Sequence, residues 1–171
     1  MYKINISSRT LHFLRPAGTS RGVYTTRKSY YVTLSDTNQP DVVGIGECAT
    51  LPDLSCDAMS NEEYEQKLRS FCDDFCHTGI IDIDAMRPYP SILFGLETAK
   101  AQLDAKGSIN FFNTAFGRGE EGITINGLVW MGTFDEMYQR LETKLKAGFR
   151  CVKLKIGAID FEKELDLIRH I

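Results

Sequence analysis

Apolar and polar positions alternate with a period of two through much of the first fifty residues. Ile4 with Ile6, Leu11 with Phe13, Tyr31 to Leu34 and Val42 to Ile45 each read as strand material. Asp36-Thr37-Asn38-Gln39-Pro40 is rich in turn formers and joins the last two of these strands. Between the earlier ones, Arg15-Pro16-Ala17-Gly18-Thr19-Ser20-Arg21-Gly22 holds a proline, two glycines and no apolar period, which predicts a mobile surface loop. The period then lengthens. Ser60-Asn61-Glu62-Glu63 reads as a capping box, in which Ser60 caps the orphan amides and Glu63 reaches back. Tyr64, Leu68, Phe71, Cys72 and Phe75 follow at three-to-four spacing and predict one buried helical stripe. A second helix is expected from about Ser91, after Pro88 and Pro90. It faces the core with Ile92, Leu93, Leu96, Ala99 and Leu103 and stops near Gly107. Strands followed by helices predict an α+β unit over residues 1–118.

From Gly119 the order becomes strand, helix, strand, helix. Ile123 to Met131 is a strand candidate, and Thr133-Phe134-Asp135-Glu136 is a second capping box. It opens a helix with Phe134, Met137, Tyr138, Leu141 and Leu145 on one face, closed by Gly148. Cys151 to Ile156 reads as another strand. Asp160 to Ile171 places Phe161, Leu165 and Ile168 at helical spacing. A βαβα run implies parallel strands with helices packed outside. Two βα units cannot close into a barrel, which takes about 250 residues, so residues 119–171 are expected to be the start of an incomplete one.

With 43% hydrophobic and 25% charged residues, the chain has the balance of an ordinary globular protein. The net charge is -3 and the basic residues are scattered, so no cationic stripe is present to track phosphates, and nucleic acid is not expected as a partner. No apolar run approaches the roughly 20 residues that span a bilayer, and Met1 to Ile6 lacks the apolar core of a signal peptide. A cytoplasmic protein with no membrane partner is expected. Cys48, Cys56, Cys72, Cys76 and Cys151 are odd in number and lack zinc-ribbon spacing, which favours reduced, mostly buried thiols. Cys72 and Cys76 beside His77 hint at a metal site, but they share the apolar stripe of their helix, and the core reading is preferred.

The strongest chemical signal is Val152-Lys153-Leu154-Lys155-Ile156-Gly157. On a strand, both amines point to one face and Val152, Leu154 and Ile156 to the other. In an exposed antiparallel strand this is simply a solvated polar face. In a parallel strand flanked by helices, the apolar face meets the helices. The lysines then face the barrel interior near the strand's carboxyl end, where barrel enzymes place their chemistry. Amines crowded together and partly buried lose protons more readily than amines in water. A neutral amine can take a proton from a carbon next to a carboxylate and later return one. The carbanion needs an electrophile, usually a divalent metal, yet no ligand set stands out in residues 1–171.

Four segments, taken in order, resemble a known family. They are Gly44-Ile45-Gly46-Glu47 running into Leu51-Pro52-Asp53-Leu54-Ser55, Ser91 to Glu97, Ile125-Asn126-Gly127-Leu128-Val129-Trp130, and Lys153-Leu154-Lys155. Together they resemble the muconate-lactonizing subgroup of the enolase superfamily. G-x-G-E followed by L-P-x-x-S is similar to the capping-domain loop of the o-succinylbenzoate synthases in particular. The resemblance implies an α+β capping domain, a β-meander followed by helices, plus the first two βα units of a TIM-like (β/α)7β barrel. It implies a Mg2+-dependent syn dehydration of 2-succinyl-6-hydroxy-2,4-cyclohexadiene-1-carboxylate to o-succinylbenzoate, a step of menaquinone biosynthesis, on a small carboxylate substrate. Lys155 would act as base and then acid, and Lys153 would position the carboxylate. Two capping loops, around Thr19 to Thr25 and Thr50 to Ser55, would close over the substrate with Arg21, Gly22, Leu51 and Pro52. The metal ligands and an opposing lysine are expected beyond Ile171, so the polypeptide as given is expected to be an incomplete, inactive portion.

Plainer readings stand beside these. Gly44 and Gly46 can mark a bulge or turn, and a strand-to-helix nucleotide fingerprint is absent. Arg21 can be merely solvated, and Glu47 and Glu97 fit capping-domain structure better than catalysis. Alternatives to the synthase are an N-acylamino acid racemase or dipeptide epimerase on the same scaffold, or a non-catalytic fragment or assembly module. An open strand edge also invites homo-oligomer formation.

Overall fold

Alternation over the first fifty residues builds a three-stranded meander, β1 (Tyr2–Thr19), β2 (Gly22–Asp36) and β3 (Gln39–Ala49), in the spatial order β1-β2-β3. The computed structural model describes residues 1–19, 22–51, 54–110, 112–157 and 159–170. β2 and β3 pair antiparallel from Ser29↔Ala49 to Asp36↔Gln39. Their turn is the expected one, with the Asn38 amide donating to the Asp36 carboxylate at 2.9 Å. The stretch from Arg15 to Gly22, expected as a loop, instead continues the strands up to Thr19 and resumes them at Gly22. Pro16 is tolerated there because β1 is an edge strand, where a missing amide costs no ladder bond on the open side. Ile4, Ile6, Leu11 and Phe13 consequently lie on one strand rather than two.

Three helices complete the first of two packed units, which comprises Met1–Leu14 and Thr26–Glu120. α1 (Asn61–Thr78) has the reciprocal Ser60/Glu63 capping box and ends at Gly79 with a left-handed φ of 70°. Tyr64, Leu68, Cys72 and Phe75 are its buried stripe. α2 (Ile83–Met86) is one short turn capped by Asp82, and α3 (Pro90–Asp104) starts with Pro90 in the first turn. Ile92, Leu96, Ala99 and Leu103 of α3 join Val32, Leu34 and Cys48 in the core. Gly44 and Gly46 serve this packing. A Cβ at Gly44 would collide with the Ala99 carbonyl of α3, and one at Gly46 with the Gly95 carbonyl, so the helix backbone lies directly on β3. All five cysteines are free thiols. Cys48 and Cys72 are buried, and burial pushes the Cys48 thiol up to about 12, the behaviour of inert core cysteine. Cys56 and Cys151 are exposed, against the expectation of mostly buried thiols, because Cys56 sits in a turn and Cys151 in a bend, outside the helices and strands.

The second unit, Arg15–Thr25 with Glu121–Ile171, contains β4 (Gly127–Val129), α4 (Phe134–Lys146), β5 (Val152–Leu154) and α5 (Phe161–Arg169). β4 and β5 are parallel, in the register Gly127↔Val152, Leu128↔Lys153 and Val129↔Leu154. Both strands are shorter than the apolar runs suggested. Ile123 and Ile125 are exposed, since β4 pairs only where β5 lies beside it. Val129, Met137, Leu141 and Leu167 form the core between sheet and helices, with Val152 and Leu154 packed against it. The buried face of α5 is Glu164 and Leu167, not the expected Phe161, Leu165 and Ile168. The Glu164 carboxylate accepts the Gly157 amide on this face, and Leu167, three residues on, packs into the core beside it. No described helix is long and apolar enough to cross a membrane.

Candidate active site

The β4–β5 register determines which side chains share a face. Val129 faces the helices with Val152 and Leu154, so Leu128 and Lys153 point away from them, as do the next residues along, Trp130 and Lys155. The structure therefore puts both lysines on the face opposite the helices, within a βα framework. Gly127 enters on the helix side, where a Cβ would press against Phe149 and Lys144 of the same unit. Lys153 is exposed and Lys155 half-buried. The Lys155 amide continues the ladder by donating to the Val129 carbonyl at 3.2 Å. Its Nζ stands 3.8 Å from the centre of the Trp130 ring.

Helix α4 braces the carboxyl end of β4 from the side. Thr133 and Glu136 make the expected capping box. The Thr133 amide donates to the Glu136 carboxylate, and that bond, with smaller contributions from Arg140 and Arg15, holds this carboxyl below its ordinary range. One turn later Arg140 donates through Nη1 to the carbonyls of Trp130 at 2.9 Å and Met131 at 3.0 Å. After β5, the chain turns at Gly157, whose φ is 98°, and the buried Glu164 carboxylate accepts its amide. An open cleft of about 1040 Å³ lies at this end of the sheet, lined by Arg15, Thr19, Val23, Trp130, Arg140 and Gly157 among others.

The remaining candidates are spread out. Gly22 begins β2 in this same unit, and Leu51 lies in the first unit, where its amide donates to Ser55 Oγ at 2.9 Å. Arg21 and Pro52 lie outside the described residues. Glu47 and Glu97 are exposed residues of the first unit. Trp130 and Arg140 were not singled out from the sequence as site residues. Trp130 becomes visible only when the strand register is known, and Arg140 only through its carbonyl contacts. Among the described residues there is no cluster of three His, Cys, Asp or Glu side chains able to hold a metal ion. The donor set beside the lysines is amine, indole and guanidinium, which does not suit magnesium, a cation that takes oxygen ligands.

No family model matches the sequence. The chain is 36% identical over 190 residues to the o-succinylbenzoate synthase of Desulfotalea psychrophila, a match covering 94% of this chain and 51% of that protein. Among solved structures, MenC from Desulfotalea psychrophila superposes with a TM-score of 0.67 at 27% identity, covering 98% of this chain and 52% of the other. An enolase family member from Agrobacterium tumefaciens with homology to dipeptide epimerases gives 0.71 at 19% identity, covering 99% and 50%. The o-succinylbenzoate synthase from Thermosynechococcus elongatus, complexed with Mg in its active site, gives 0.61 at 20%, covering 99% and 47%. The chain thus spans about half the length of the relatives it matches. Its fold is that of an enolase-superfamily capping domain followed by the start of a barrel, and its sequence matches the amino-terminal half of an o-succinylbenzoate synthase.

Proposed function

We propose that this chain is the capping-domain and first-strand portion of an o-succinylbenzoate synthase, a lyase that dehydrates 2-succinyl-6-hydroxy-2,4-cyclohexadiene-1-carboxylate. The observation that carries the reading is the placement of Lys153 and Lys155 on the helix-free face of a parallel βα pair, in a chain 36% identical to a synthase of that name. Lys155 acts as the base. Its lone pair takes the proton from the carbon bearing the carboxylate, and the C–H electron pair stays with the substrate as an enediolate. The resulting ammonium then returns a proton to the departing hydroxyl. The C–O bond breaks, water leaves, and the ring becomes aromatic. Lys153 stands one step back on the same face as a fixed positive charge for the substrate carboxylate.

A magnesium ion would stabilise the enediolate in such an enzyme, but its ligands are not among the described residues of this chain. The whole-barrel protein is therefore the reacting species in this proposal. Closure of the segments around Gly22 and Leu51 over the substrate, with Arg21 and Pro52, is part of the same proposal. So are the division of the chain into a cap over 1–118 and a barrel start over 119–171, and a place in menaquinone synthesis in the cytoplasm.

A second reading is favoured by the 0.71 TM-score to the relative of dipeptide epimerases. An epimerase removes and restores a proton at an amino-acid α-carbon without losing water. The two are separated by incubating the full-length protein in deuterated water with each substrate class. The synthase reading predicts o-succinylbenzoate from the cyclohexadiene and no exchange into dipeptides. Exchange at a dipeptide α-carbon without any dehydration would establish the epimerase instead.

A further inference from the structure

We infer that Trp130 is a positioning residue for Lys155, seating the amine against its indole face so that it meets the substrate in one place. The inference rests on the acid/base role proposed for Lys155.

Lysine carries its nitrogen on a flexible four-carbon stem and has no planar group to fix it. Proton transfer needs the reacting atoms at about 3 to 3.5 Å, so a freely moving amine spends most of its time out of range. Trp130 supplies a seat. Its ring centre lies 3.8 Å from Lys155 Nζ, well inside the roughly 6 Å over which a cation is attracted to an aromatic face. Continued one residue past its last pair, Val129↔Leu154, the parallel register sets Trp130 beside Lys155 on the helix-free face. The indole lies on the face opposite the helices and takes no part in the Val129–Met137–Leu141–Leu167 cluster.

The seat is itself held. The Trp130 carbonyl accepts from Arg140, which also binds the Met131 carbonyl and lies 3.7 Å from Glu136. Glu136 is fixed in turn by the Thr133 capping box. A continuous set of contacts thus runs from the first turn of α4 to the lysine nitrogen. An amine confined to one place is within range of the substrate carbon in a larger share of complexes, and the contact touches no part of the substrate itself. It therefore acts on kcat and leaves KM nearly unchanged.

The test compares Trp130→Leu and Trp130→Phe in the full-length protein, reading kcat and KM for dehydration of the cyclohexadiene carboxylate. Trp130→Leu is expected to lose about 3- to 30-fold in kcat with KM held within about two-fold, and Trp130→Phe, which keeps an aromatic face, to recover most of the loss. Circular dichroism of both variants separates loss of the contact from loss of the fold. Wild-type kcat in a folded Trp130→Leu, or equal losses in the Leu and Phe variants, would overturn the inference. Its failure differs from failure of the proposed function. A fully active Lys155→Ala removes the acid/base role itself, whereas an inactive Lys155→Ala beside an undiminished Trp130→Leu removes only the positioning role.

Discussion

Glu164 shows how one side chain can set both a helix face and a turn. It is only 5% exposed, and its carboxylate accepts the Gly157 amide immediately after the strand that carries the lysines. Replacing it with alanine leaves that amide without its acceptor in a part-buried position, at a cost of about 1–3 kcal/mol. Glutamine keeps an acceptor oxygen in place and is expected to cost clearly less. Urea unfolding of the two variants measures the difference, and equal midpoints would show that the hydrogen bond does not hold the turn. This residue was illegible in the sequence. Phe161 and Ile168 offered a more apolar helical face, yet both are exposed here, and Glu164 is buried beside Leu167 with its carboxylate on the Gly157 amide. The lysine pair was legible for the opposite reason. Period two fixes a shared face from sequence alone, while their partner Trp130 required the register between two strands.

At the scale of elements, the sequence was most informative where one residue type has one physical job. Both capping boxes formed as written, at Ser60/Glu63 and Thr133/Glu136. Hydrogen bonds from the Ser60 hydroxyl and amide, and from the Thr133 amide, keep the two glutamates below their ordinary value of 4.5. A carboxyl depressed in the folded state binds fewer protons there than in the unfolded chain. Its stabilisation is therefore complete above the ordinary value and is lost as pH falls below it. Melting temperature should fall between about pH 6 and about pH 3, and Glu63→Gln/Glu136→Gln should reduce that fall. An identical pH dependence in the double variant would mean that the boxes contribute nothing to acid sensitivity. Other elements were hidden. α2 is too short to show a period, and the hairpin arms past Leu14 persist through a proline because edge position, not propensity, decides there. The Gly44-x-Gly46 pair, open between bulge and turn on sequence grounds, is explained by the close approach of α3.

At the scale of the whole molecule, the chain holds a cap-type unit and the opening of a barrel, and it matches about half of each relative's length. The βα order made this legible, since parallel strands with helices on one side leave a second face for chemistry. The described residues hold no group of three His, Cys, Asp or Glu side chains able to bind a metal ion, so this chain gives no metal site to read. The account depends most on Lys155 being the group that moves the proton. The decisive measurement is dehydration of 2-succinyl-6-hydroxy-2,4-cyclohexadiene-1-carboxylate by the full-length protein and by its Lys155→Ala variant, with circular dichroism on both. The account predicts o-succinylbenzoate from the wild type and a loss of about 10²- to 10⁴-fold or more in the variant, with the fold intact. A folded Lys155→Ala protein that still forms o-succinylbenzoate at the wild-type rate would contradict it.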